Sequence, residues 1–268
     1  MDMSSTRAQE PGPEIRVRDI ELKYPTRHGM VQALAACSLT IPGGGFGCLV
    51  GPSGCGKSTL LDLVAGLVPL QSGRIEIDPG PSGTPARLAV VFQRPALFAW
   101  KTVLGNITFG LRARKLGRAE ALARASHYID LVGLGGFSGA YPHELSGGMA
   151  QRVGIARALA LQPDVLLMDE PFAAVDAQTR AVLQQELRRI TADARMTVLF
   201  VTHDVGEAVY LGDSVFVMSG RPGSVRRHIQ PDAAQRDRSS DAFAQLTAEV
   251  FDLLAHAPSP DSSKGVLS

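Results

Sequence analysis

Cysteine is scarce in this chain of 268 residues, which has only Cys37, Cys48 and Cys55. Their spacing matches no metal-binding pair and no disulfide framework, which fits a reducing compartment. Net charge is scarce too. Lys and Arg number 27 against 26 Asp and Glu, a formal charge of +1. A nucleic-acid coat needs a clearer basic excess, so no nucleic-acid partner is expected. No stretch offers about 20 apolar residues in a row, so the chain itself should not span a membrane, and any membrane role must come through a partner. Residues 1–13 are polar and rich in Pro and Gly, without the apolar centre of a signal peptide. They are expected to be disordered, as is a Pro- and Ser-containing tail over 256–268.

What is present is a chain long enough for one large domain or two intimate subdomains, with 45% hydrophobic residues. Alternating apolar residues from Glu14 to Tyr24, with a slip between Val17 and Ile20, predict a bulged strand. A second short strand should end near Ile41, before a turn at Pro42 to Gly45. Phe46 to Val50 is a short apolar strand feeding a Gly-rich loop, and a helix follows from Ser58 to Leu67. Strands are expected at Arg74–Ile77 and Leu88–Phe92. Residues 102–161 carry a helical pattern broken near Gly133–Phe137 and Tyr141–Gly148. Beyond it, apolar strands (Val165–Met168, Thr197–Val201, Ser214–Met218) alternate with helices (Asp176–Thr191, Asp204–Leu211). Such alternation implies a parallel sheet covered on both faces. The helical stretch is then an insertion into an α/β core, and Phe243 to Leu254 reads as a C-terminal amphipathic helix.

The segment Gly51-Pro-Ser53-Gly54-Cys55-Gly56-Lys57-Ser58-Thr59 matches the phosphate-loop pattern, between a strand and a helix. Its glycines let backbone N–H groups turn inward around a phosphate, and the helix N-terminus adds its positive end. Lys57 can reach the β- and γ-phosphates, and the Ser58 hydroxyl can ligate Mg²⁺. Cys55 is either a small loop filler or a thiolate favoured by the helix end, which thiol reagents would attack and ATP would protect.

Other polar groups fall at strand ends, where ligands of open parallel sheets bind. Val165 to Met168 runs into Asp169 and Glu170. Asp169 can hold the hydration shell of Mg²⁺, and Glu170 can orient and deprotonate an attacking water. Gln93 and His203 each follow an apolar strand, so Gln93 can face Mg²⁺ and the water, and His203 the γ-phosphate. Ser146, Gly147 and Gly148 open a helix running through Ala160. That is a capped helix start, or a second anion site made of hydroxyl, free N–H groups and helix dipole. Two anion sites on one chain make sense if two copies meet head to tail and hold each ATP between them.

Taken together these motifs resemble an ABC-type ATPase subunit over residues 14–230. Gly51–Thr59 matches the Walker A loop, Gln93 the Q-loop, Leu145–Arg152 the signature motif, and Val165–Glu170 Walker B with the catalytic acid. Ala174-Val175-Asp176 resembles the D-loop, His203 the switch histidine, and Tyr24 the aromatic that stacks on adenine. The resemblance implies a P-loop NTPase core with an N-terminal antiparallel β part and an α-helical subdomain at about 94–160, followed by a C-terminal extension from 231. It implies ATP and Mg²⁺, and a homodimer in which Ser146, Gly147 and Gly148 of one subunit close on ATP held by the other. It also implies two transmembrane permease subunits, an indirect partnership with a periplasmic or extracellular solute-binding protein, and a place on the cytoplasmic face of the plasma membrane. The loop Arg94 to Lys101 resembles the surface that grips a permease. Tyr141–Arg152, Pro171–Arg180 and Val201–Ala208 are most similar to the nitrate, sulfonate and taurine importer type. Val175 stands where that type commonly has Leu, and Phe98-Ala99-Trp100-Lys101 where it has Leu-Pro-Trp-Leu. The alternatives are the ATPase subunit of an exporter and a soluble ABC ATPase outside transport.

Overall fold

A computed structural model describes residues 12–27, 29–80 and 83–255. The disorder expected for residues 1–11 and 256–268 concerns positions outside these described residues. Among the described residues, Gly12 N–H donates to the Arg195 carbonyl at 3.1 Å, and the Thr197 hydroxyl donates to the Pro13 carbonyl at 2.7 Å.

The elements run in chain order as β1 (Ile15–Thr26), β2 (Gly29–Ile41), β3 (Phe46–Val50), α1 (Lys57–Val64), β4 (Ser72–Ile77) and β5 (Leu88–Val91). There follow α2 (Val103–Ala113), α3 (Arg118–Leu131) and α4 (Gly147–Ala160), with two short 3₁₀ turns between α3 and α4. The chain closes with β6 (Val165–Asp169), α5 (Ala177–Asp193), β7 (Thr197–Thr202), α6 (Val205–Leu211), β8 (Ser214–Met218), β9 (Val225–Ile229) and α7 (Asp241–Ala255).

Two sheets form. A three-stranded antiparallel sheet has the order β2-β1-β4, and the register of β1 slips between Val17 and Ile20 as the pattern predicts. β2 is longer than expected, since it pairs with β1 as far as Thr26 opposite Gly29. The main sheet has the order β5-β6-β7-β3-β8-β9, parallel except for β9. β9 was not expected. Its Val-Arg-Arg-His-Ile sequence has only two apolar residues, and its exposed edge position tolerates this polarity.

The central strands explain their own composition. Leu166 and Met168 of β6 pack into one apolar cluster with the helical subdomain, α5 and α6. Val165 and Leu167 pack into another, with α1 and the antiparallel sheet. Alternate side chains point to opposite faces of a strand, and both faces here are covered, so every position must be apolar. Helices α2, α3 and α4 pack on one another to form the inserted subdomain. Arg157 and Gln151 of α4 donate to the carbonyls of Ala96 and Phe92 at 2.7 and 3.1 Å, tying that subdomain to the chain leaving β5. The parallel strands therefore present their carboxyl ends on one edge, beneath the antiparallel sheet and beside the helical insertion.

Candidate active site

A cavity of about 530 Å³ lies at that edge, lined by residues of the phosphate loop and by Tyr24, Thr26, Val31, Ala33, Gln93, Glu170, His203 and Arg221. Its size suits a small-molecule ligand. A larger groove of about 830 Å³ lies between β9 and α7, lined by Arg227, Ala248 and Leu253 among others, and contains none of the motif residues. The chemistry-bearing side chains select the smaller cavity.

The loop between β3 and α1 bends through two left-handed glycines, Gly54 at φ +75° and Gly56 at φ +105°. A Cβ on Gly56 would sit 2.7 Å from Leu34 Cδ2, so both conformation and space demand glycine there. Lys57 is buried; its Nζ donates to the Gly51 and Pro52 carbonyls at 2.8 and 3.1 Å, which holds the ammonium over the loop. The α1 N-terminus brings Lys57, Ser58 and Thr59 to the cavity wall, where the first N–H groups of a helix have no helical partner. Cys55 is buried under the loop, and burial raises its thiol pKa while Lys57 opposes the shift more weakly. This supports the loop-filler reading of Cys55 against the thiolate reading.

Three strand ends meet the loop. The Ser58 hydroxyl donates to Asp169 Oδ1 at 3.0 Å. Burial raises the Asp169 carboxyl pKa and the Ser58 bond pulls it back. Glu170 has φ +42°, a conformation that costs a non-glycine residue about 1–3 kcal/mol and that gathers at functional sites. Its backbone N–H is fixed to the Val201 carbonyl at 2.9 Å. Its Oε2 accepts from Gln93 Nε2 at 3.3 Å and lies 3.0 Å from His203 Nδ1. A carboxylate held between an amide and an imidazole, beside a phosphate loop, is arranged to orient a water and take its proton.

Ser58, Asp169 and the Gln93 amide offer only oxygen ligands, one of them a buried carboxylate. Such a set suits Mg²⁺ shared with substrate phosphates, and the 3.0 Å Ser58–Asp169 contact puts two of the donors together. Tyr24, at the end of β1 opposite Val31, lines the cavity with 39% of its surface exposed, as a ring that stacks on a base would.

Ser146, Gly147, Gly148 and Asp176 do not line this cavity. Ser146 caps α4 by accepting from Met149 N–H at 3.2 Å, and Asp176 caps α5 by accepting from Thr179 N–H at 3.0 Å. That backbone bond lowers the Asp176 carboxyl pKa. A Cβ on Gly148 would lie 2.7 Å from the Ala174 carbonyl, so the α4 start and the turn before α5 abut. A Cβ on Gly147 would meet nothing within 4 Å, which leaves open space before the helix end.

Sequence reasoning missed Arg221. It follows β8, and the rule that drew attention to Gln93, Glu170 and His203 at strand ends applies equally to Met218-Ser-Gly-Arg221.

Residues 34–173 match the profile of the ABC transporter family. The chain is 45% identical over 251 residues to a taurine import ATP-binding protein of Rhizobium johnstonii, covering 90% of this chain and 96% of that one. It is 46% identical over 216 residues to a nitrate import ATP-binding protein of Synechocystis, covering 80% and 81%. An aliphatic sulfonates import ATP-binding protein of Bacillus thuringiensis is 39% identical over 244 residues, covering 90% and 96%. A dimeric structure of a bacterial ABC transporter cassette superposes with TM-score 0.75 at 30% identity, covering 82% of this chain and 99% of that one. A dimeric post-hydrolysis cassette bound to ADP and Pi superposes with TM-score 0.74 at 29% identity, with the same coverage.

Proposed function

Because this chain belongs to the ABC transporter family of ATP-binding proteins, we propose that it is the ATP-hydrolysing subunit of an importer for a small anionic solute. The observation that carries the reading is Glu170, placed between Gln93 and His203 at the mouth of the phosphate loop. The relatives named for taurine, nitrate and sulfonate import support the direction of transport and the solute class.

In this reading Tyr24 stacks on adenine, and the backbone N–H groups of Ser53 to Thr59 wrap the phosphates. Lys57 leaves its two loop carbonyls for the β- and γ-phosphates. Ser58, Asp169 and Gln93 would hold Mg²⁺, which would supply neutralisation of charge on the transferring phosphoryl group. Glu170 takes the proton of the attacking water, and His203 holds that carboxylate and the γ-phosphate in register. The positive φ of Glu170 is the local cost of this aim.

Ser146, Gly147, Gly148 and Asp176 serve the partner's nucleotide. They lie outside their own chain's cavity, and the free space before Gly147 can admit a phosphate. ATP therefore closes a homodimer, as the likeness to dimeric cassettes supports. The permease face is the loop after Gln93. Asn106, fully buried, accepts from Phe98 N–H at 2.8 Å and donates to the carbonyls of Lys101 and Thr102 at 3.0 Å each. This clamp presents Trp100, 73% exposed, against Phe98, whose ring also meets Phe109. Two permease subunits in the plasma membrane, approached from the cytoplasmic side, and a solute-binding protein beyond them complete the assembly.

The test is purification of the tagged chain from detergent-solubilised membranes, with mass spectrometry of the proteins recovered and an assay of phosphate release. Recovery of a polytopic permease encoded with a binding protein for an anionic solute is expected. Recovery of soluble partners alone would overturn the transport reading.

A further inference from the structure

The cavity contains a cation, Arg221, for which the reading above has no use. Arg221 Nε donates to the Gly54 carbonyl at 2.6 Å. A Cβ on Gly54 would lie 2.6 Å from Arg221 Nη2, so the guanidinium rests on the crown of the phosphate loop, at a residue whose φ of +75° favours glycine. The turn carrying Arg221 is held firmly. Ser219 N–H donates to the Ser224 carbonyl at 2.9 Å, and Ser224 N–H donates back to Ser219 Oγ at 3.1 Å. Gly223 exchanges two bonds with β2, its N–H to Ala33 at 2.8 Å and its carbonyl from Ala35 at 2.9 Å. Gly223 also abuts the phosphate loop, since a Cβ there would stand 1.9 Å from the Cys55 carbonyl.

Two successive loop carbonyls, Gly54 and Cys55, thus face this one turn. In a trans peptide the carbonyl and the next N–H point opposite ways. Holding those carbonyls outward turns the N–H groups of Cys55 and Gly56 inward, the orientation in which such loops bind phosphate. Cys55 N–H now donates to the Pro52 carbonyl at 3.3 Å. Arg221 lines the same cavity as Ser53 and Lys57.

We propose that Arg221 sets nucleotide affinity: it holds the phosphate loop open for phosphate through the Gly54 carbonyl and adds its own charge to the phosphate site. This rests on the ATP-hydrolysing reading. Arg221 acts on binding and not on the attack of water, because the bonds around Glu170 come from Gln93 and His203 while that of Arg221 goes to Gly54.

The experiment is calorimetric titration of the purified chain with ATP and ADP, alongside steady-state hydrolysis, for wild type, Arg221→Ala and Arg221→Lys. One lost charge-assisted contact should weaken both nucleotides about tenfold in Arg221→Ala. The fall in kcat/KM should come through KM, and Arg221→Lys, with charge but no planar fork, should sit between. A purely structural role would lower kcat and raise KM together and would not grade with charge. If Arg221→Ala binds ATP as wild type does, or loses rate only through kcat, the proposal is overturned. If Arg221→Ala does not fold, Arg221→Gln, which keeps a donor and removes the charge, is judged by the same criterion. A wild-type chain that binds no ATP would instead overturn the ATPase reading.

Discussion

His203 Nδ1 lies 3.0 Å from Glu170 Oε2, although the two residues follow different strands and are 33 positions apart in the chain. The contact is made possible by two neighbouring parallel strands, β6 and β7, ending at the same level, with Asp169 opposite Val201. It joins the proposed general base to the residue that would sense the γ-phosphate.

Glu170→Gln keeps the shape and the neighbours but cannot take a proton. Hydrolysis should fall about 10²–10⁴-fold while ATP binding survives. Light scattering with ATP and Mg²⁺ should then show a persistent dimer. A variant that hydrolyses at the wild-type rate would remove Glu170 from the chemistry.

The two halves of each site should complement between chains. Lys57→Ala damages the phosphate loop, and Ser146→Arg blocks the helix start proposed to face a partner. Neither variant alone should dimerise with ATP. A mixture contains pairs with one intact composite site and should regain ATP-dependent dimer. If mixing restores nothing, Ser146 does not serve the partner's nucleotide.

Chelation of Mg²⁺ should abolish hydrolysis, and Ser58→Ala should raise the Mg²⁺ concentration needed for half-maximal rate, because it removes a hydroxyl that now bonds Asp169. An unchanged Mg²⁺ requirement would take Ser58 out of the metal site.

Asn106→Ala should cost about 1 kcal/mol by leaving the part-buried Phe98 N–H and Lys101 carbonyl without their side-chain partner. Permease recovery should fall further than ATP hydrolysis by the isolated chain. Equal losses in both would mean that the loop acts through general stability and not through docking.

Glu207 gives a pH signature. Burial raises its carboxyl pKa above the ordinary 4.5, against an opposing bond from the Thr202 hydroxyl and weaker attraction to Arg180 and His203, with Asp204 reinforcing the rise. The folded state therefore binds this proton more tightly than the unfolded chain. The stabilisation is full below the unfolded value and is lost as pH rises through the folded one. The Tm of wild type relative to Glu207→Gln should decline as pH climbs from 4.5 toward neutrality. A relative Tm that rises over that interval would contradict the burial argument.

Much of this was legible in the sequence. The phosphate loop, the paired acids after β6 and the polar residues after β5 and β7 are local signals, since strand period and glycine placement act over a few residues. β9 was not legible, because an edge strand needs no apolar run, and its Arg226 and Arg227 hide the pattern.

The sequence by itself determined which groups can bind phosphate, ligate Mg²⁺ and move a proton, for those properties belong to side chains and short motifs. Only the tertiary structure decided which of them meet. It placed Glu170 between Gln93 and His203, set Ser146 and Asp176 apart from their own chain's cavity, buried Cys55, and laid Arg221 on Gly54 across 167 positions. Those relations depend on strand order and close packing, which join residues far apart in the chain and leave no local signature.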